Sequence, residues 1–125
     1  MSNEKSIRSY RDLDVWQVSI GLAELCYLET KQFPREELFG MTSQIRRSAA
    51  AIPANIAEGY GRETPGAFIQ FLRIAQGSLK ELETHLILAQ RIALLAPEPT
   101  DKMLAECDRV GRMLRNFIRA LQAKE

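Results

Sequence analysis

The amino-acid sequence predicts an all-α protein, an up-down-up-down antiparallel four-helix bundle whose second helix is kinked by a proline. Apolar residues recur at alternating steps of three and four along four long stretches, which is the period of a helix that faces a core. Short segments of turn-forming residues separate these stretches, so successive helices must run antiparallel. We find no stretch with the alternating pattern of a β-strand.

The size and charge of the chain restrict its class. The 125 residues are expected to form one domain, residues 1–125, with a single hydrophobic core. Lys and Arg number 17 against 16 Asp and Glu, a formal net charge of +1, so any binding of nucleic acid must depend on where basic residues cluster. The sequence lacks a signal peptide and an apolar run of about 18 residues, which favours a cytoplasmic protein.

The first helix is expected to carry two apolar faces. Residues 1–11 are polar and expected to fray, and Asp12 is expected to cap a helix that runs to about Lys31. One face consists of Leu13, Trp16, Ile20, Ala23 and Tyr27, and the other, about 150° away, of Val15, Val18, Leu22, Leu25 and Cys26. A bundle core covers only one face, so we expect another copy of the chain to cover the second. We assign this subunit interface to Val15, Val18, Leu22 and Leu25.

The second helix has an apolar stripe that contains a proline. A turn at Pro34–Gly40 precedes it, with Thr42 or Ser43 as the expected cap. The stripe consists of Ile45, Ala49, Ile52 and Ile56. Pro53 would cost about 3 kcal/mol in an ordinary helix interior, but it is surrounded by small residues that let neighbouring backbones come close. We therefore interpret the kink as a bend for close packing in the bundle or between subunits.

Polar residues and glycines follow this proline. Asn55 and Glu58 are predicted to make polar contacts between helices or between subunits, and Pro53 belongs to the same candidate interface. Gly59 and Gly61 are predicted to end the helix, because glycine readily adopts a left-handed conformation.

The third and fourth helices have clear start signals. Thr64 followed by Pro65 combines a capping side chain with a proline at the first helical position, and this helix is expected to end near Leu95. Thr100 is the expected cap of a fourth helix that reaches about Ala123. The apolar stripes are Phe68, Leu72, Ala75, Leu79, Leu82, Leu86, Ala89 and Ala93 in the third helix, and Met103, Cys107, Val110, Leu114, Phe117, Ile118 and Leu121 in the fourth.

No catalytic or metal-binding constellation is evident. The sequence has one histidine, His85, and lacks the paired Glu-x-x-His motifs of di-metal bundles. We expect His85 to lie at the flank of the core, paired with Glu81. Cys26 and Cys107 occupy apolar positions and are expected to be buried free thiols. We therefore predict that the protein is not an enzyme and that it has no catalytic residue, metal ligand or cofactor.

Seven arginines are candidates for contact with nucleic acid. Four of them, Arg109, Arg112, Arg115 and Arg119, occupy an arc of about 120° on the fourth helix, opposite its apolar face. The other three are Arg46, Arg47 and Arg62 on the second helix, of which Arg62 is also placed to pair with Glu58. The arc is either a solvated surface or a ridge that contacts phosphates. A ring of identical subunits would repeat the ridge and strengthen its field.

Four groups of residues make up a distinctive pattern. They are Tyr10-Arg11-Asp12-Leu13 with Val15-Trp16, Ser43-Gln44-Ile45-Arg46-Arg47, Ile52-Pro53-Ala54-Asn55-Ile56-Ala57-Glu58-Gly59, and Phe71-Leu72-Arg73-Ile74-Ala75 with Gly77-Ser78 and Glu81-Leu82-Glu83. In this pattern the chain resembles the bacterial four-helix-bundle family encoded in intervening sequences of 23S ribosomal RNA genes. The resemblance covers residues 10 to 95 and, more loosely, the fourth helix.

The resemblance implies a four-helix bundle that forms a homopentamer and has no known enzymatic activity. The family is similar to the accessory protein of diversity-generating retroelements, a ring-forming bundle associated with nucleic acid and a reverse transcriptase. The sequence and the resemblance together favour a homo-oligomeric module that binds structured RNA or a nucleoprotein through basic residues of the assembled ring. The alternative is an adaptor or scaffold that contacts only protein.

Overall fold

The computed structural model describes residues 6–124, which form four long helices. They are α1 (Asp14–Glu29), α2 (Met41–Tyr60), α3 (Pro65–Arg91) and α4 (Pro97–Gln122). Each helix packs against the next one in sequence, and α1 also packs against α4, so the four helices enclose one core. The described residues contain no strand, and the predicted four-helix bundle is confirmed.

The core consists of the apolar stripes of the helices. All four residues of the predicted α2 stripe are fully buried. The predicted stripe is buried from Leu72 to Ala89 in α3 and from Met103 to Leu114 in α4, whereas Phe68, Phe117 and Leu121 are half-buried and Ala93 is exposed. Phe68 at the start of α3 packs edge-on against Phe117 of α4, with ring centroids 5.2 Å apart, and against Tyr60 of α2 at 6.1 Å. These aromatic contacts join three helices at one end of the bundle.

The interface residues proposed on α1 are instead part of the core or packed against it. Val15 and Leu22 are buried within the single chain, with 4% and 0% of their surface exposed. Val18 and Leu25 are partly buried against the same core. The expected place of these residues at a subunit interface is therefore corrected for Val15 and Leu22, which have no surface to offer to another chain.

The outer side of α1 is formed by its other apolar face. Trp16 and Ile20 are half-buried, and 43% of Tyr27 is exposed. On the core side, Ser19 is buried. Its burial is tolerated because the hydroxyl group donates a hydrogen bond to the Trp16 carbonyl at 2.9 Å. Two faces of similar apolar character carry the same periodic signal, so periodicity alone does not distinguish the inner face from the outer one.

The cap predicted for α3 is present, whereas the residue predicted to cap α1 belongs to a turn that precedes this helix. Thr64 accepts a hydrogen bond from the Ala67 amide at 3.2 Å, and Pro65 is the first residue of α3, as predicted. Asp12 does not cap α1. It belongs to a 3-10 turn, Tyr10–Asp12, that Ser9 caps before α1 begins. Of the residues expected to fray, 1–5 lie outside the described part of the chain.

The caps predicted for α2 and α4 are also replaced. The Glu37 carboxylate accepts from the Met41 amide at 3.1 Å and thereby caps α2 in place of Thr42 or Ser43. Thr100 lies inside α4, where its hydroxyl donates to the Ala96 carbonyl at 2.7 Å. Thr100 is internal because α4 begins at Pro97, and the first helical position suits proline since its missing amide has no helical partner there.

The left-handed residue of the described chain is an alanine. α2 ends at Tyr60 with Gly61 as its C-cap, so the predicted end of the helix is confirmed. Neither Gly59 nor Gly61 has a positive φ, so the left-handed conformation expected there is wrong. Ala93 has φ 66°, directly after α3. The Leu94 amide donates to the Ala89 carbonyl at 2.8 Å and the Ala93 amide to the Gln90 carbonyl at 3.0 Å, which is the Schellman arrangement that ends many helices.

Candidate nucleic-acid and subunit interfaces

The arginine ridge of α4 is exposed, and its two halves differ. Arg109 lies 3.8 Å from Glu106, and Arg112 is paired with Asp108. Exposed pairs one turn apart contribute only about 0.2–0.5 kcal/mol, so they exchange readily for other partners. Arg115 and Arg119 are exposed, and neither forms an ion pair within residues 6–124. The C-terminal half of the ridge therefore presents uncompensated charge.

Arg46 is committed to the packing of α1 on α2. Its guanidinium group donates to the Thr30 hydroxyl at 2.9 Å and to the Tyr27 carbonyl at 3.2 Å. It also lies 4.8 Å from the centre of the Tyr27 ring. These contacts satisfy groups at the C-terminal end of α1, where helix carbonyls lack amide partners. Arg46 is therefore a structural residue, and its guanidinium is not presented to a phosphate.

The other two candidate arginines, Arg47 in α2 and Arg62 just after it, differ from each other. Arg62 pairs with Glu58 at 3.2 Å, as the spacing predicts, and lies 4.7 Å from the centre of the Phe71 ring. Glu58 therefore has its contact with a residue two positions beyond the end of α2. Arg47 is exposed and lines an open trough on the outer side of α2 together with Gln44 and Glu81.

The antiparallel topology divides the charge of the molecule. The ends of α2 and α4 lie beside the starts of α1 and α3. We call this end, residues 6–21, 51–78 and 110–124, the basic half. It carries eight basic and only four acidic side chains, whereas the rest of the described chain carries eight basic and ten acidic ones. The basic side chains of this half are Arg8, Arg11, Arg62, Arg73, Arg112, Arg115, Arg119 and Lys124. The near-zero net charge of the chain thus conceals two ends of opposite sign.

Alanines of α2 form the floor of an open groove beside α1. The groove, which we call the alanine groove, has a volume of about 300 Å³. It is lined by Tyr10, Trp16, Ile20, Ala23, Ala50, Pro53, Ala54 and Ala57. Its walls are ordered, since the rings of Tyr10 and Trp16 pack edge-on with centroids 5.2 Å apart. The outer face of α1 and the small residues of α2 therefore meet in one apolar surface.

The proline of α2 lies within the helix and beside this groove. α2 continues without interruption through Pro53, which is buried. Proline lacks the amide that would otherwise bond to the Ala49 carbonyl. Two residues later, the Asn55 side chain donates to the Ala51 carbonyl at 2.8 Å. The contact of Asn55 in the single chain is thus within its own helix, and its predicted role between helices or subunits stays a prediction.

The buried titratable groups are not placed for catalysis. Burial, together with the nearby Glu29, raises the pKa of the Cys26 thiol to about 12, and burial likewise raises the pKa of Cys107. Both thiols stay protonated near neutral pH and are therefore poor nucleophiles and ligands. The Nε2 atom of His85 is buried and makes no hydrogen bond within the described chain, so the expected pairing with Glu81 is not formed.

Residues 6–124 form neither a metal site nor a membrane-spanning helix. No group of three or more His, Cys, Asp or Glu side chains is arranged to hold a metal ion there. None of the helices in this range has the length and apolarity needed to cross a membrane.

Two features of the surface are not anticipated by the sequence patterns. Phe39 in the turn before α2 is 92% exposed, although phenylalanine is usually buried. The polarity between the two halves becomes visible only when the direction of each helix is known. The presence of a lone aromatic residue among the polar residues of the turn is the one sequence signal that points to Phe39.

The comparisons with known proteins agree with the fold. A family model described as 23S rRNA-intervening sequence protein matches residues 11–116. A solved structure from Bacteroides thetaiotaomicron, described as a protein with unknown function from the S23 ribosomal protein family, is 26% identical to the chain. The match covers 83% of this chain and 97% of that chain, with a TM-score of 0.75. None of the curated proteins matches the chain.

Proposed function

Because the chain belongs to the family of 23S rRNA-intervening sequence proteins, we propose that it is a non-enzymatic, homo-oligomeric module of the cytoplasm that binds structured RNA. The contacts are made by basic side chains that the assembled oligomer gathers on one side. The observation that carries the proposal is the basic half, where residues 110–124 contribute four basic side chains and no acidic one.

The binding mode follows from the character of this surface. Arg115 and Arg119 are one helical turn apart, about 6 Å along the axis of α4, and neither is held by a carboxylate within the described chain. Arginine binds phosphate through a planar fork of donors. Phe117, which lies between these two arginines in the sequence, packs edge-on against Phe68 of α3 and is therefore not available to stack on a base. The surface is therefore suited to the phosphate backbone of a folded RNA.

Self-association gives this surface its strength. One chain offers few uncompensated charges, whereas an oligomer repeats the ridge once for each subunit. The homopentamer implied by the family resemblance would present it five times. The affinity and its dependence on salt would then both rise with the number of phosphates contacted at once.

The absence of an enzymatic role is supported by the state of the buried groups. The two thiols are protonated near neutral pH, and His85 has no group that orients it within the described chain. An activated nucleophile needs a base at hydrogen-bonding distance, and a general base needs an orienting partner.

RNA binding is tested by gel-shift titration against structured fragments of ribosomal RNA. We expect the double variant Arg115→Gln, Arg119→Gln to bind at least tenfold more weakly and to lower the salt slope by about one for each lost phosphate contact. The matched control, Arg91→Gln with Lys102→Gln, removes two exposed charges outside the basic half and should bind like the wild type. Absence of wild-type binding at about 50 mM salt, where phosphate contacts are strongest, would refute the proposal.

A protein-only adaptor is the second candidate, and one observation favours it. Ile87, Leu88 and Ile92 are about half exposed and lie within six residues of each other at the C-terminal end of α3. Such an apolar strip suits contact with another protein. Pull-down from lysate treated with nuclease separates the candidates, because a protein partner retained without RNA, together with a failed gel shift, favours the adaptor.

A further inference from the structure

The turn before α2 presents an aromatic side chain to solvent on a fixed backbone. Phe39 is 92% exposed. The residues around it are held by hydrogen bonds from the Leu38 amide to the Arg35 carbonyl at 3.1 Å and from the Gly40 amide to the Glu37 carbonyl at 3.0 Å. The Glu37 side chain also caps α2. The backbone that carries Phe39 is thus held in place, which lowers the backbone entropy lost when the ring binds.

The same chain has a surface of matching character that this ring does not reach. The alanine groove is apolar, has a floor of Ala50, Pro53, Ala54 and Ala57, and has room for an aromatic side chain. Phe39 precedes α2, whereas Ala50 and Ala57 lie about 14 and 24 Å from the start of that helix at 1.5 Å per residue. A phenylalanine side chain is far too short to span this distance. A Phe39 ring that occupies the groove must therefore belong to another copy of the chain.

Charge favours the same encounter. Phe39 lies at the more acidic end of the bundle, three residues after the exposed Glu36. Six of the eight residues that line the groove lie in the basic half, and one of them, Tyr10, is in contact with the exposed Arg11, whose guanidinium lies 5.6 Å from the centre of the Tyr10 ring. A head-to-tail contact therefore brings opposite charges together, which speeds association and fixes orientation.

We propose that Phe39 of one copy inserts into the alanine groove of the next copy. The proposal rests on the homo-oligomeric part of the proposed function and assigns the contact that builds the oligomer. The contact joins two different surfaces, so a bound pair of copies still has one free Phe39 and one free groove. Such an interface closes into a ring when the rotation between subunits permits. The arginine ridge of α4 lies outside this contact and is repeated around the assembly.

The test is the mass of the protein in solution, measured by light scattering on micromolar samples without RNA. We expect the wild type to be larger than a dimer, and Phe39→Ser and Ala54→Arg to be monomers, because one lacks the inserted ring and the other fills the groove. Both positions are exposed, so the thermal midpoint of the single chain should change little. The matched controls, Ile74→Ser and Ala105→Arg, change exposed residues on α3 and α4 and should keep the wild-type mass.

Mixing the two variants gives a sharper result. Phe39→Ser keeps an intact groove and Ala54→Arg keeps an intact Phe39, so an equal mixture should form a species of two chains and nothing larger. A monomeric wild type, a Phe39→Ser variant of wild-type mass, or a mixture that stays monomeric would overturn the inference. If Phe39→Ser keeps the wild-type mass and the wild type still shifts RNA, this contact falls while the proposed function stands. If both variants become monomers but the wild type does not shift RNA, this contact stands while RNA binding falls.

Discussion

At the scale of single residues, Ala93 is a site where the backbone is strained. A residue with a side chain in the left-handed region lowers the free energy of unfolding by about 1 kcal/mol, whereas glycine does not. Ala93 has φ 66° and is exposed. We expect Ala93→Gly to raise the free energy of unfolding by about 0.5–1 kcal/mol, measured by urea denaturation. The control Ala120→Gly, exposed inside α4, should lower it by about the same amount; equal effects at both sites would contradict the strain.

Gly59 is a residue for which space, and not backbone conformation, requires glycine. A Cβ atom there would lie 2.7 Å from the Phe71 Cβ and 3.3 Å from the Phe68 carbonyl oxygen. We expect Gly59→Ala to lower the free energy of unfolding by about 1–3 kcal/mol, because α2 and α3 must move apart. At Gly77 an added methyl group would meet no atom within 4 Å, so Gly77→Ala should raise stability by about 0.5–1 kcal/mol. Denaturant midpoints of the two variants decide the matter.

The arginines show which single contacts can be predicted from sequence. The pair of Arg62 with Glu58 follows from a spacing of four residues, because such residues are neighbours on any helix. Arg46 binds Thr30 and Tyr27, which lie 16 and 19 residues away. That contact exists only because α1 and α2 pack side by side. No local pattern separates Arg46 from Arg47, although one is structural and the other is exposed.

At the scale of elements, three helices are predictable from their periodicity and one is not. The stripes of α2, α3 and α4 each have a single apolar face, so the inner side is unambiguous. α1 has two apolar faces, and the choice depends on which face complements the other three helices. The outcome leaves Trp16 and Ile20 half-buried and Tyr27 exposed. The need for a cover on the second face remains, and it applies to the face opposite the one predicted.

Pro53 connects the shape of α2 to assembly. It is buried and forms part of the alanine groove. We expect Pro53→Ala to fold, because it restores the amide missing at the Ala49 carbonyl, and to change the mass of the oligomer, because the ring of Pro53 lines the alanine groove and its loss changes the shape of the groove. Light scattering and thermal melting measure both effects. The control is Pro65→Ala at the first position of α3, where proline removes no helical hydrogen bond; an unchanged mass and midpoint for Pro53→Ala would refute this role.

At the scale of the whole molecule, topology determines the distribution of charge. The basic residues of α4 are concentrated towards its C-terminus and the acidic ones towards its N-terminus, which also complements the helix dipole. Because neighbouring helices are antiparallel, the two halves of the chain differ in sign. The sequence alone predicts the ridge on α4, whereas the basic half requires the arrangement of all four helices.

The two buried cysteines allow the opening of the bundle to be measured. Cys26 and Cys107 are free, lie in α1 and α4, and have no exposed surface. A thiol-specific reagent can label them only while these helices are separated, since the native core excludes it. The rate of labelling therefore measures how often the first and last helices separate, without any substitution in the chain. Labelling of Cys26 and Cys107 is thus a direct measure of how often the core opens.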